Sequence, residues 1–141
     1  MAYCTLEDIL GSMDEADVIG YTDDDDAGTV DQSRVDQAIE MAGVMIDAYV
    51  GGRYQVPLDP VPDLVKRLAV DLAVFEICSR RSDPPENREQ KRQQAVRLLE
   101  KIGSGSAVIP DAVSAAADSG SNPVQISSAD RVFSRDRLRG L

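Results

Sequence analysis

The chain contains no histidine and no tryptophan, and it has only two cysteines, four tyrosines and two phenylalanines in 141 residues. Without histidine it lacks the commonest general base and the commonest metal ligand near neutral pH. With aromatics at 4%, the core must come from Val, Leu, Ile, Met and Ala, and a hydrophobic content of 43% is enough to build one. Cys4 and Cys78 form no CxxC pair and read as small buried hydrophobes of a reducing compartment, not as a disulfide. No apolar run approaches the ~20 residues of a membrane span. Met1–Thr5 lacks the basic region and apolar core of a signal peptide, so a cytoplasmic protein with no membrane partner is expected.

Base is also missing locally. Residues 1–30 hold nine acidic side chains and no Lys or Arg, and the whole chain carries 25 acids against 15 bases, a net charge of −10. Such a surface repels a nucleic-acid backbone, so DNA or RNA is not read, although DNA is free to pass nearby. Catalytic patterns are absent too. No Ser lies in G-x-S-x-G, and Gly103-Ser104-Gly105-Ser106 lacks the Lys and the strand–helix setting of a phosphate loop. No enzyme activity, cofactor or metal is therefore expected. The acidic run Asp23-Asp24-Asp25-Asp26 fails as an EF-hand loop, with Ala27 at the fifth position and Arg34 at the twelfth, and reads as a solvated loop.

What is present is helical periodicity. Thr5 caps a short helix over 6–13, with Leu6, Ile9, Leu10 and Met13 on one face. Asp31 caps a long helix over 32–50. Val35, Ile39, Ala42, Ile46 and Tyr49 form one apolar row there, and Ala38, Met41, Met45 and Ala48 a second, a width that predicts burial on more than one side. Gly51-Gly52 is expected to end it in a left-handed turn. Pro57, Pro60 and Pro62 make the next stretch an extended connector. A third helix over 62–81 is nearly continuously apolar and is the candidate core helix. A fourth, over 84–102, is expected to have Asp83 as cap, Pro84 as first residue, Glu86 completing a capping box and Gly103 as stop. Its first half, Asn87 to Gln94, has no apolar residue, so it is solvated or at an interface.

The fold class expected is mainly α: a small four-helix domain over 1–103, with a proline-rich connector, followed by an extended C-terminal arm over 104–141. The arm is Ser/Gly/Ala/Asp-rich at first. Residues 126–141 then carry four Arg against two Asp, net +2, leaving −12 on residues 1–125. Phe133 and Leu138 are the apolar anchors there, and Arg131, Arg135 and Arg137 the polar clamps, of a segment that docks on a neighbouring subunit. Arg53, beside Tyr54, is expected to pair with a helix carboxylate such as Asp47 or Asp71 and to fix the connector to the helices.

Several of these residues form a recognisable series. It begins with Tyr3, Thr5-Leu6-Glu7-Asp8 and Tyr21-Thr22-Asp23, and continues through Val35, Ala38-Ile39 and Ile46-Asp47-Ala48-Tyr49. Arg53-Tyr54-Gln55-Val56-Pro57-Leu58, Pro62, Leu68-Ala69, Asp71-Leu72-Ala73 and Ala95-Val96, Leu98-Leu99, Ile102-Gly103 complete it. The series resembles the Mu-like phage gene-product-thirty-six family of virion proteins over residues 1–110. Asp47, Tyr49, Arg53, Tyr54 and Pro57 form its most specific part and are expected to be structural. The resemblance implies a head–tail connector, also called an adaptor or head-completion protein. Neighbouring copies would form a ring of about twelve beneath the portal protein, closing the head and meeting a tail-side connector or terminator protein. It places the chain in the host cytoplasm during assembly and then in the neck of the virion. Asp23–Asp26 become a candidate lining or rim of the DNA channel. The alternative is a small cytoplasmic helical regulator that binds one partner.

Overall fold

The computed structural model describes residues 2–81 and 83–115. Five helices follow one another: α1 (Leu6–Leu10), α2 (Glu15–Thr22), α3 (Gln32–Val50), α4 (Asp63–Ser79) and α5 (Glu86–Ser104). The class is mainly helical, with no strand among the described residues beyond an isolated antiparallel bridge between Tyr54 and Ser114. The count is five where the apolar periodicity predicts four. The additional helix, α2, buries only Val18 and Thr22, so it leaves almost no apolar stripe to detect.

Helix starts follow their caps. The Thr5 side chain accepts from the Asp8 N–H while Asp8 reaches back to the Thr5 N–H at 2.9 Å, a complete capping box. The Asp31 carboxylate accepts from the Arg34 N–H at 3.2 Å at the start of α3. Helix α5 departs from the expectation. It begins at Glu86, with Pro85 at its cap and no side-chain capping bond, so the Asp83–Glu86 box is not made. The reason lies in the proline pair: Pro85 drives Pro84 out of the helical region, and the helix waits until the pair has passed.

The ends of α3 and α5 also differ from expectation. Gly51 has φ −63°, so α3 does not end on a left-handed residue. Glycine serves close approach there, since a Cβ on Gly51 would lie 2.7 Å from the Asp47 carbonyl oxygen. Gly103 does not stop α5. It lies inside the helix, where a Cβ would come within 2.7 Å of the Tyr49 carbonyl oxygen, and its bare Cα lets α5 cross α3 closely. The left-handed stop is Gly105, at φ +89°.

The core lies between α3, α4 and α5, with α3 and α4 making the broadest contact. Ile46, Leu72, Ile77, Leu99 and Ile102 are fully buried, each contributing about 1.5–3 kcal/mol of transfer free energy. α1 and α2 lie against α4. The polar first half of α5 packs through its arginines. Arg88 donates to the Ser12 carbonyl oxygen at 2.9 Å, and the Arg92 guanidinium stacks 4.9 Å from the Phe75 ring. Both cysteines are buried and unpaired, and burial pushes the Cys4 thiol up to about 11.

Candidate partner-binding surfaces

The residues of the specific stretch converge on one corner. The Tyr3 hydroxyl donates to Asp47 Oδ1 and accepts from the Leu58 N–H at 3.0 Å, tying the N-terminus to α3 and to the connector. Burial, reinforced by the bond to Asp47, pushes the Tyr3 phenol up to about 12. Tyr54 is buried, and its hydroxyl accepts from the Ile109 N–H at 3.0 Å. Arg53 corrects its expectation. Asp47 is held by Tyr3, and Arg53 Nη1 donates instead to the Ile102 carbonyl oxygen at 3.3 Å, at the C-terminal end of α5. That carbonyl also accepts from the Gly105 N–H at 3.2 Å, and its second lone pair, at the negative end of the helix dipole, suits a guanidinium. Tyr49 is half-buried against the core and Pro57 is exposed in the turn.

Residues beyond Gly105 return to the same corner. Glycine is favoured at 105 by its positive φ, and a Cβ there would also push aside the Arg53 guanidinium, whose Nη1 would lie 2.4 Å away. Ile109 is 1% exposed. The Gln55 N–H donates to the Val113 carbonyl at 3.0 Å, and the Ala115 N–H to the Arg53 carbonyl at 2.9 Å. Residues 105–115, the first part of the expected arm, therefore lie against the helical body. The expected docking residues Arg131, Phe133, Arg135, Arg137 and Leu138 lie outside the described residues.

The acidic loop is partly neutralised from within. The Asp23 carboxylate accepts from the Ala27 and Gly28 N–H groups at 3.0 and 2.7 Å, and these bonds hold it below the usual carboxylate range. Asp24 is 2.6 Å from Arg80, with Arg34 and Arg81 each at 3.6 Å; the Arg80 hydrogen bond leads in lowering its pKa. Asp25 and Asp26 are exposed. Of the four acids, Asp23 closes the loop on its own backbone and Asp24 ties it to Arg34 of α3 and to Arg80 and Arg81 at the end of α4. Spacing along the chain gives no sign of Arg80 and Arg81 as partners, because only the fold brings residues 80 and 81 beside residue 24.

Helix α3 is buried on one side only. Its second apolar row splits: Ala38 is buried and Met45 half-buried, but Met41 is 57% exposed and Ala48 lies in the open. Val44, 59% exposed, stands between them, so Met41, Val44 and Ala48 form a bare strip. Val56 prolongs it, since its Cγ2 would meet a Cβ on Gly51 at 3.5 Å. Two grooves flank the helices. One, of about 780 Å³, is lined by Glu7, Asp8, Asp63 and Asp71 together with Lys66, Arg67 and Lys91. The other, of about 500 Å³, runs between the N-terminal segment and α3, with Cys4, Leu6 and Ile39 beneath Asp36 and Glu40. No helix of the described residues is long and apolar enough to cross a membrane.

Comparison with known proteins first defines a class: this is a small helical bacteriophage protein. A profile described as "Bacteriophage Mu, Gp36" matches residues 3–128. "Gene product J" of Escherichia phage Mu is 34% identical over 110 residues, 77% of this chain and 76% of that protein. The "Mu-like prophage FluMu protein gp36" of Haemophilus influenzae is 29% identical over 115 residues, 82% and 80% of the two chains. The chain belongs to the bacteriophage Mu Gp36 family.

Proposed function

We propose that this protein is a structural component of the virion, a head–tail connector whose copies form a ring beneath the portal, close the head and join it to the tail. Its membership of a bacteriophage family sets the context. The observation that carries the reading is the bare apolar strip of Met41, Val44 and Ala48 on α3. Side chains of this size, in a row and uncovered, suit a subunit that completes its packing against another copy. A ring needs a head-to-tail contact between two different faces of each protomer, and the strip supplies one of them. The acidic body lets DNA pass without holding it, with Asp25 and Asp26 as the members of the 23–26 loop left free to face a channel or rim. The partners on this reading are the portal protein, neighbouring copies and a tail-side connector or terminator.

The test is the mass of the purified chain, alone and mixed with its portal protein, by light scattering and negative-stain imaging. Rings, or a stable complex with portal, are expected, and Val44→Asp should abolish the self-association while leaving the helical circular dichroism intact. A chain that stays monomeric and ignores portal would overturn the proposal and favour a single-partner regulator.

A further inference from the structure

The Lys and Arg side chains of the described residues divide into two sets. Most meet a carboxylate, a carbonyl oxygen or the Phe75 ring. Arg67, Lys91, Arg97 and Lys101 make no ion pair and donate no side-chain hydrogen bond among the described residues. Arg67 and Lys91 share the larger groove with its acids. Arg97 and Lys101 lie outside it, one turn apart and exposed on α5. The Ala107 N–H donates to the Lys101 carbonyl oxygen at 3.0 Å, so that Val108, 66% exposed, follows directly. The bare side of α3 has a matching order. Asp36, Glu40, Val44 and Ala48 recur at intervals of four and all are exposed. Asp36 takes a hydrogen bond from Gln32, and Glu40 has no ion pair among the described residues. One run is acid then apolar, and the other is cation then apolar.

The two helices are also level with one another. Ala38 of α3 and Glu76 of α4 line one pocket, the neighbouring Phe75 carries Arg92 of α5, and Tyr49 of α3 meets Gly103 of α5. Residues 38 to 49 and 92 to 103 are equal lengths of helix, so α3 and α5 run the same way at the same height. A rotation about an axis along them sets α5 of one copy beside α3 of the next without reversing either. We infer that the second face of the ring contact is the C-terminal half of α5 with Val108, and that it covers the Asp36–Ala48 row of the adjacent copy. The inference rests on the ring proposed above and names the partner of its apolar strip. At matched height Glu40 stands opposite Gln94 and about 5 Å along the axis from Arg97, a gap that an arginine side chain spans. Val44 falls between Arg97 and Lys101, whose aliphatic stems cover it while their charged heads reach outward. Ala48 falls just ahead of Val108. Within one copy these acids and cations do not pair, so a second copy is what completes them. The charged contact sets orientation and encounter rate, and the apolar strip supplies most of the affinity.

Exchanging the charges in the full-length chain tests this, with self-association read by analytical ultracentrifugation at low salt. Glu40→Arg and Arg97→Glu, both at exposed positions, should each weaken self-association about tenfold by setting like charges opposite one another. The double variant, and equally a mixture of the two single variants, should recover it, because each restores opposite charges at every contact. Recovery on mixing also shows that both variants are folded. Single reversals that associate as the wild type does, or a double variant no better than the singles, would overturn the inference. So would a wild type that stays monomeric at low salt, or an Arg97→Glu variant that loses binding to duplex DNA while its self-association is unchanged. The connector reading is tested apart from this contact. Loss of self-association in Val44→Asp, with none in the charge reversals, would keep the ring and remove only the α5 face.

Discussion

Two non-helical regions of this protein are held by opposite means. The corner built from residues 53–58 and 105–115 is anchored by buried groups: Tyr3, Tyr54, Leu58 and Ile109, with hydroxyl-to-amide bonds that water does not reach. The 23–28 loop is anchored by exposed carboxylates facing three arginines and its own backbone. Screening by water and salt weakens the second kind of contact and hardly touches the first. The corner is therefore a fixed part of the body, whereas the loop keeps its position at little energetic advantage and leaves two acids for other uses.

The comparison can be broken most severely at Ile109. Ile109→Ala should lower the unfolding free energy by about 2–4 kcal/mol in urea titration, because the residue is fully enclosed. A loss below about 1 kcal/mol would mean that 105–115 peels away without cost to the body. Tyr54→Phe should cost less, about 1–2 kcal/mol, by leaving the Ile109 amide buried without an acceptor. Hydrogen exchange at that amide should accelerate in step.

Alkaline pH sharpens the same contrast. The Tyr3 phenol is raised from 10.0 to about 12 in the folded state, so folding favours its neutral form. Its contribution is complete below pH 10 and fades as pH climbs through 10 towards 12. Wild-type stability should fall across that window, and Tyr3→Phe should flatten the fall while lowering stability at pH 8. An unchanged slope in the variant would remove Tyr3 from the account. The smallest effect belongs to the loop: Asp24→Asn should leave the urea midpoint unmoved, within error, in 0.5 M salt. A clear shift there would show the loop to be as firmly built as the corner.

Much of the fold was legible because local rules and burial agree. The Thr5 and Asp31 caps, the span of α3 and the apolar run of α4 each follow from side-chain type and spacing. The start of α5 is set locally by its proline pair, but at other positions tertiary contact decides between local options. Gly103 looks like a stop but is a crossing point beneath Tyr49, and the stop two residues later is the one with a left-handed φ. Arg53 was recognised as a clamp, but its acceptor is a carbonyl 49 residues away that carries no sequence signature. Of the candidate surfaces, the width of the apolar face on α3 was visible. That its Met41–Val44 side stays uncovered was not, because only the packed helices show which row finds a partner.

The central claim is that this chain is a virion component present in ring stoichiometry. Quantitative mass spectrometry of purified phage particles, with the portal protein as internal reference, tests it most directly. The connector account predicts the chain in every particle at about one copy per portal subunit, the ratio of two stacked rings. Its absence from particles that are complete and infectious would contradict the account.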